Sequence, residues 1–196
     1  PQPIKPAPGN STKLNWVTGP GITNAPSGTP GGYGVAGTDL GIMWDDGSGN
    51  ILLAFGDTFD QPSMKGVWRS NVLLRSVDHN LADKTLTIRD AVISPGGNYN
   101  ANQWSNSFGA TQVVRDPGFL GLFGRTTTII PTAAISVTDA ATGKVTQYMN
   151  VMSVRTWGNP GSWSTNWSAI ASSTDGGLHW TVAPGTVRSA GFLQAS

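Results

Sequence analysis

From Gly37 onward, apolar residues come in short runs at strand-like spacing, divided by Gly, Asn, Asp and Ser, with no sustained 3.6-residue period. "GIMWDDGSGNILLAFGD" predicts a strand, a turn over 45–50 and a second strand. "WRSNVLLRSVDHNLADKTLTIRDAVI" predicts another pair, broken at "LADK". The pattern then recurs. "IIPTAAISVTDAATGKVTQYMNVMSVRTWG" repeats the first unit and "NWSAIASSTDGGLHWTV" the second, with Ser76 and Asp78 matching Ser173 and Asp175 at one offset. Each copy supplies about four strands, the content of a propeller blade. Residues 1–36, rich in Pro, Gly, Ser and Thr with one apolar patch at Leu14, Trp16 and Val17, read as an arm laid over the body.

A local motif supports the repeat. "STDGGLHW", Ser173 to Trp180, fits the Asp-box turn found between outer strands of some propeller blades. There an Asp accepts backbone N–H groups, Gly supplies positive φ and Trp packs beneath. "SVDHNL" at 76–81 reads as a degraded copy. The expected fold is all-β, a β-propeller: a first blade at 37–93, an insertion at 94–127, a second blade at 128–187 and the start of another at 188–196. Propellers close with roughly four to eight blades. The expectation is therefore that this chain needs further blades of the same protein, "GFLQAS" opening the next inner strand.

Composition narrows the chemistry. The 196 residues are 12% charged with a net charge of +1 and no Lys/Arg run, which gives no reason to expect nucleic acid or an anionic membrane as partner. No apolar stretch approaches the ~18 residues that span a bilayer. Absence of cysteine excludes disulfides, thiolate metal sites and cysteine nucleophiles. Gly 26, Pro 13 and Trp 8 suit a turn-rich β protein of uncharged polar surface, and a secreted or cell-envelope location is expected. All eleven acidic residues are Asp.

Both histidines, His79 and His179, fall in Asp-box-like turns, where a solvated turn residue is the plain reading against a catalytic base. "DDGSGN" opens like a calcium loop but lacks the closing Glu, and reads as a hairpin turn; neither metal nor cofactor is expected. Carboxylate pairs remain. Most Asp residues have turn roles, including Asp116 in "RDPG". Asp39 and Asp57 do not: one opens the first predicted strand and the other closes the second, so antiparallel pairing brings both to one rim, within ~5–10 Å. Trp68, Arg69 and Asn71 return to that rim, suited to stack on a sugar, hold a carboxylate ionised and bond a hydroxyl. In the second copy Pro131-Thr132 and Val154-Arg155 stand where the first has Thr38-Asp39 and Gly56-Asp57, which adds Thr132 and Arg155 to the candidate binding residues. The alternative is that Asp39 and Asp57 only bind backbone or Arg groups at strand ends.

"GTDLGIMWD", "FGDTF", "WRSNVLLRS", "IIPTAAISV", "NVMSVRTWG" and "STNWSAIASSTDGG" resemble, in order, the actinobacterial endo-D-arabinanases, long catalogued as a domain of unknown function. The resemblance covers about residues 37–196. It implies a five-bladed propeller that cleaves α-linked D-arabinofuranose chains of mycobacterial-type arabinogalactan and lipoarabinomannan, with paired catalytic acids at Asp39 and Asp57. The expected partner is thus a polysaccharide. Of the two acids, Asp57 is expected as the proton donor and Asp39 as its ionised partner. A non-catalytic sugar-binding propeller and a structural envelope protein remain alternatives. A sialidase fits poorly, since its centre uses a Tyr–Glu pair and this chain has no Glu.

Overall fold

The computed structural model describes residues 15–22, 32–94, 109–118 and 124–190. Leu14 of the arm patch, parts of the expected insertion (95–108 and 119–123) and "GFLQAS" lie outside these residues. In chain order the early strands are β1 (Gly37–Thr38), β2 (Ile42–Asp45), β3 (Ile51–Phe55), β4 (Thr58–Gln61), β5 (Lys65–Arg69), β6 (Val72–Ser76) and β7 (Asp90–Ala91). The later ones are β8 (Thr128–Thr138), β9 (Val145–Trp157), β10 (Trp163–Ser173), β11 (Thr181–Val182) and β12 (Arg188–Ser189). The fold is all-β, with two single-turn 3₁₀ segments.

Two antiparallel meanders dominate. The first sheet runs β2-β3-β6-β7 and the second β8-β9-β10-β11, with β12 pairing elsewhere along β10. The four-strand repeat expected from the sequence is therefore present twice. No closed barrel or ring forms among the described residues. A third sheet, β1-β4-β5, extends the first meander. Strands β3 and β4 are one run of chain bent at Gly56-Asp57, and β5 and β6 another bent at Ser70-Asn71. The β4–β5 hairpin was invisible to the turn rules because its corner places Ser63 and Met64, rather than glycine, at φ 63° and 59°.

The meanders pack together through one core. Trp44, Leu52, Ala54 and Leu73 of the first meet Ile129, Met149, Val151, Trp167 and Ala169 of the second. Fully burying one such large side chain is worth about 1.5–3 kcal/mol, so this contact fixes the relative position of the sheets. The other face of the first sheet, with Leu53, Phe55, Val72 and Leu74, is covered by Val35, Leu86 and Ala110, with Val17 and Tyr33 packed against them. Within the described part of residues 1–36, Asn15 donates to the Leu86 carbonyl at 3.2 Å and accepts its N–H at 3.0 Å.

Residues 110–114 are a core element rather than a surface excursion. Ala110, Val113 and Val114 are buried, and the Asn71 amide clamps the last two. Its oxygen accepts the N–H groups of Val113 and Val114 at 3.2 and 2.8 Å, while its nitrogen donates to the carbonyls of Val114 and Ile129, both at 3.0 Å. The Asp-box turn forms as expected. The Asp175 carboxylate accepts the His179 N–H at 3.0 Å, Gly176 and Gly177 take φ 69° and 87°, and the Trp180 indole donates to the Gly177 carbonyl at 2.8 Å.

Candidate active site

The first hairpin brings the two suspect aspartates face to face. One register runs through Gly37↔Phe59, Thr38↔Thr58 and Ile42↔Ala54, so Asp39 and Asp57 occupy facing positions on the interrupted stretch between the two ladders. The interruption has a backbone cause. Leu40 and Gly41 take φ 56° and 142°, which lifts the chain out of the strand just after Asp39. A left-handed leucine costs roughly 1–2 kcal/mol, and this one is 64% exposed, so burial does not offset the cost. The Gly56 N–H still donates to the Asp39 carbonyl at 3.1 Å, which holds the two halves together.

Gly56 is required by this arrangement. A Cβ placed there would lie 2.3 Å from Asp39 Oδ1, well inside contact distance. A glycine inside an otherwise apolar strand was the available sign of a close approach, and the sequence reading passed over it.

The two carboxyls sit in different surroundings. Burial first, and then the neighbouring Asp57 carboxylate, raise Asp39 to about 6, against hydrogen bonds from the backbone N–H groups of Asp57 and Asp39 itself. The outer edge of Asp39 stays open to solvent while its inner edge is pressed against the Gly56-Asp57 backbone, so it is reachable and yet poorly hydrated. Burial raises Asp57 as well, opposed by two side-chain donors. These are the Thr128 hydroxyl at 2.7 Å and the Trp68 indole N–H at 2.8 Å, both on Oδ1. Thr128 opens β8 of the second meander, so Asp57 is gripped from both sheets. No local pattern in the sequence signals that contact.

Both donors to Asp57, Trp68 and Thr128, line an open groove of about 310 Å³ with Ser70, Gln112, Arg115, Asp116, Thr126, Thr127 and Ile129, and neither Asp39 nor Asp57 is itself among its lining residues. Trp68, 40% exposed, is one of its lining residues. Asp116 lines the groove and also closes an ordinary turn by accepting the Gly118 N–H at 2.9 Å.

Four other expectations are corrected. Arg69 is 1% exposed and spends its guanidinium on the carbonyls of Ala110 and Gly34, at 2.9 and 2.6 Å. Asn71 is fully buried in the clamp on 113–114, so neither faces the groove. Thr132 and Arg155 do not share a rim. Thr128, not Thr132, pairs with Val154, and a bulge between Pro131 and Ala133 shifts the ladder beyond it. Thr132 instead accepts from the Asn150 amide at 2.8 Å, and Arg155 donates through Nε to Asn166 at 2.6 Å. The bulge breaks the register that the repeat was used to infer, and a register error displaces every inferred neighbour.

The described residues hold no group of three or more His, Cys, Asp or Glu placed to bind a metal ion. Asp45 and Asp46 shape their hairpin turn, Asp46 bonding Ser48 and Asn50.

Over 153 residues the chain is 30% identical to the notoamide biosynthesis cluster protein J of an Aspergillus species, covering 74% of this chain and 36% of that protein. A crystal structure from Bacteroides ovatus, of a protein provisionally named a hydrolase, aligns at 12% identity with a TM-score of 0.42, covering 76% of this chain and 39% of the other. The chain spans less than two fifths of the length of either protein. Residues 24–196 match a domain of unknown function, DUF4185, and the chain belongs to that family.

Proposed function

We propose that this chain carries the catalytic acids of a glycoside hydrolase, and that its substrate is the α-linked D-arabinofuranose polymer implied by the resemblance, cut internally. The observation that carries the proposal is the pair Asp39 and Asp57 at facing register positions in unlike surroundings, Asp57 being bonded by two residues that line an open groove. Catalytic carboxyl pairs work when neighbours push their proton affinities apart. Asp39, raised to about 6, suits the proton donor, and Asp57, held by two donors, suits the ionised partner. That reverses the roles expected from sequence.

In the proposed reaction the Asp39 carboxyl gives its proton to the glycosidic oxygen as the bond to the anomeric carbon breaks. The Asp57 carboxylate either attacks that carbon, forming an ester that water later hydrolyses, or removes a proton from the attacking water. Trp68 fixes Asp57 through its N–H and offers ring surface to a sugar. The two meanders act as adjacent blades of a five-bladed propeller whose remaining blades complete the groove, in a protein that works outside the cytoplasm or in the envelope. A non-catalytic saccharide-binding propeller is the second reading, favoured by the exposed ring of Trp68 at the groove.

Incubating the intact protein with purified D-arabinan separates the two. Release of oligosaccharides by the wild type, and its loss in Asp57→Asn, is the expected result. Binding of the polymer with no new reducing ends would refute hydrolysis.

A further inference from the structure

We infer that the tip of the β9–β10 hairpin is a second saccharide-binding platform, formed by Trp157 and Trp163, which takes the neutral polymer beyond the acids. This rests on the glycosidase reading above. Trp157 and Trp163 are cross-strand partners with ring centroids 6.2 Å apart at 63°, and each is 49% exposed. Two half-exposed indoles side by side form an apolar surface that a soluble domain keeps for contact.

Their position says which contact. The Thr128 side chain bonds Asp57, and Thr128 pairs with Val154 of β9. Trp157 is three residues further along β9, on the order of 10 Å beyond that rung. The Thr127 hydroxyl, on the groove, reaches the Arg155 carbonyl at 2.5 Å, so the groove wall leads directly into the hairpin. In the first meander Trp68, the partner of Phe59, is the aromatic donor to Asp57.

The tip is rigid, as a platform requires. Gly158 and Ser162 close the turn at 2.9 Å, Ser162 donates to the Asn159 carbonyl at 2.8 Å, and the Thr156 and Ser164 hydroxyls meet across the strands at 2.6 Å. Arg155 is braced on Asn166, which in turn donates to the Arg125 carbonyl at 2.7 Å. Arg155 is thereby held in place by a neutral amide, and the exposed rings beyond it offer stacking surface to a sugar.

The test uses the intact protein carrying Trp157→Ala or Trp163→Ala, with Trp163→Phe as the conservative control. Binding of purified D-arabinan is measured in an Asp57→Asn background, and cleavage of the polymer is compared with cleavage of a short arabinofuranosyl aryl glycoside. Each alanine variant should weaken polymer binding about tenfold and raise KM on the polymer at nearly constant kcat, Phe restoring most of it, with the short substrate unaffected. In the unaltered protein, 5-fluorotryptophan signals of residues 157 and 163 should shift on adding D-arabinan, which gives an answer even where a variant folds poorly. Unmoved signals, or polymer affinity unchanged in the alanine variants, would overturn the platform. Trp-dependent binding without any cleavage would instead remove the hydrolase reading and leave the platform standing.

Discussion

The two meanders share strand order and turn logic, yet only one is broken. Strand β8 runs without a gap from Thr128 to Thr138 against β9, yielding only a bulge at Pro131. In the first meander the matching strand is cut into β1 and β2 by residues 39–41, and its partner bends at Gly56-Asp57. The cut forfeits ladder hydrogen bonds and puts a leucine in the left-handed region. What it gains is two aspartates at facing register positions beside the break, Asp39 exposed and Asp57 bonded from the second sheet. The intact copy supplies the scaffold and Thr128; the broken copy supplies the acids. Local strain placed where a chemical group must be presented is a familiar signature of a functional site.

If the break exists to hold a proton on Asp39, then Asp39→Asn should lower turnover by roughly 10²- to 10⁴-fold, the range for removing a general acid. The same change should raise thermal stability near neutral pH. Asp39 is protonated more readily in the folded protein than unfolded, so wild-type stability falls as pH climbs from about 4 through about 6, and the amide escapes that loss. Thermal melts across pH would expose a variant that is both inactive and no more stable, an outcome against the assignment.

Gly56→Ala sharpens the comparison at the bend. The added methyl would meet Asp39 Oδ1 at 2.3 Å and must push the carboxyl aside, so about a 10²-fold loss of kcat is expected with the fold retained. Unchanged kinetics would mean the placement of Asp39 is immaterial. Gly177→Ala is the counterpart in the second meander. Its methyl would lie 2.6 Å from Leu73 Cδ2, at φ 87°, and should cost about 1–3 kcal/mol of stability by chemical denaturation while kcat stays put. The smallest effect belongs to Thr128→Val, which removes one of the two donors on Asp57. A loss of roughly 1 kcal/mol, about fivefold in rate, should come with the acidic limb of the pH–rate profile moving upward, since Asp57 would then protonate more easily.

Much of this scaffold was legible in the sequence. Strand-forming runs around "DDGSGN" fixed the hairpin register, and that alone brought Asp39 opposite Asp57. The Asp-box turn followed from Ser173, Asp175, Gly177 and Trp180. What escaped was long-range or depended on register. Thr128 reaches Asp57 across 71 positions of sequence, and Asn71 clamps a segment within the expected insertion. Their place at the strand returning to the rim, together with their polar type, sent Arg69 and Asn71 to the site, whereas backbone groups buried between the sheets needed them more. The bulge at Pro131 misplaced Thr132 and Arg155, because a repeat gives strand order but not the pairing register across a bulge.

The most direct test follows the carboxyl carbon of Asp39 by NMR as pH is varied, in the wild type and in Asp57→Asn. The midpoint should lie near 6 in the wild type and fall when the facing charge is removed. A midpoint near 4 in both proteins would contradict the account, because Asp39 would then hold no proton to give at the pH where the pair must work.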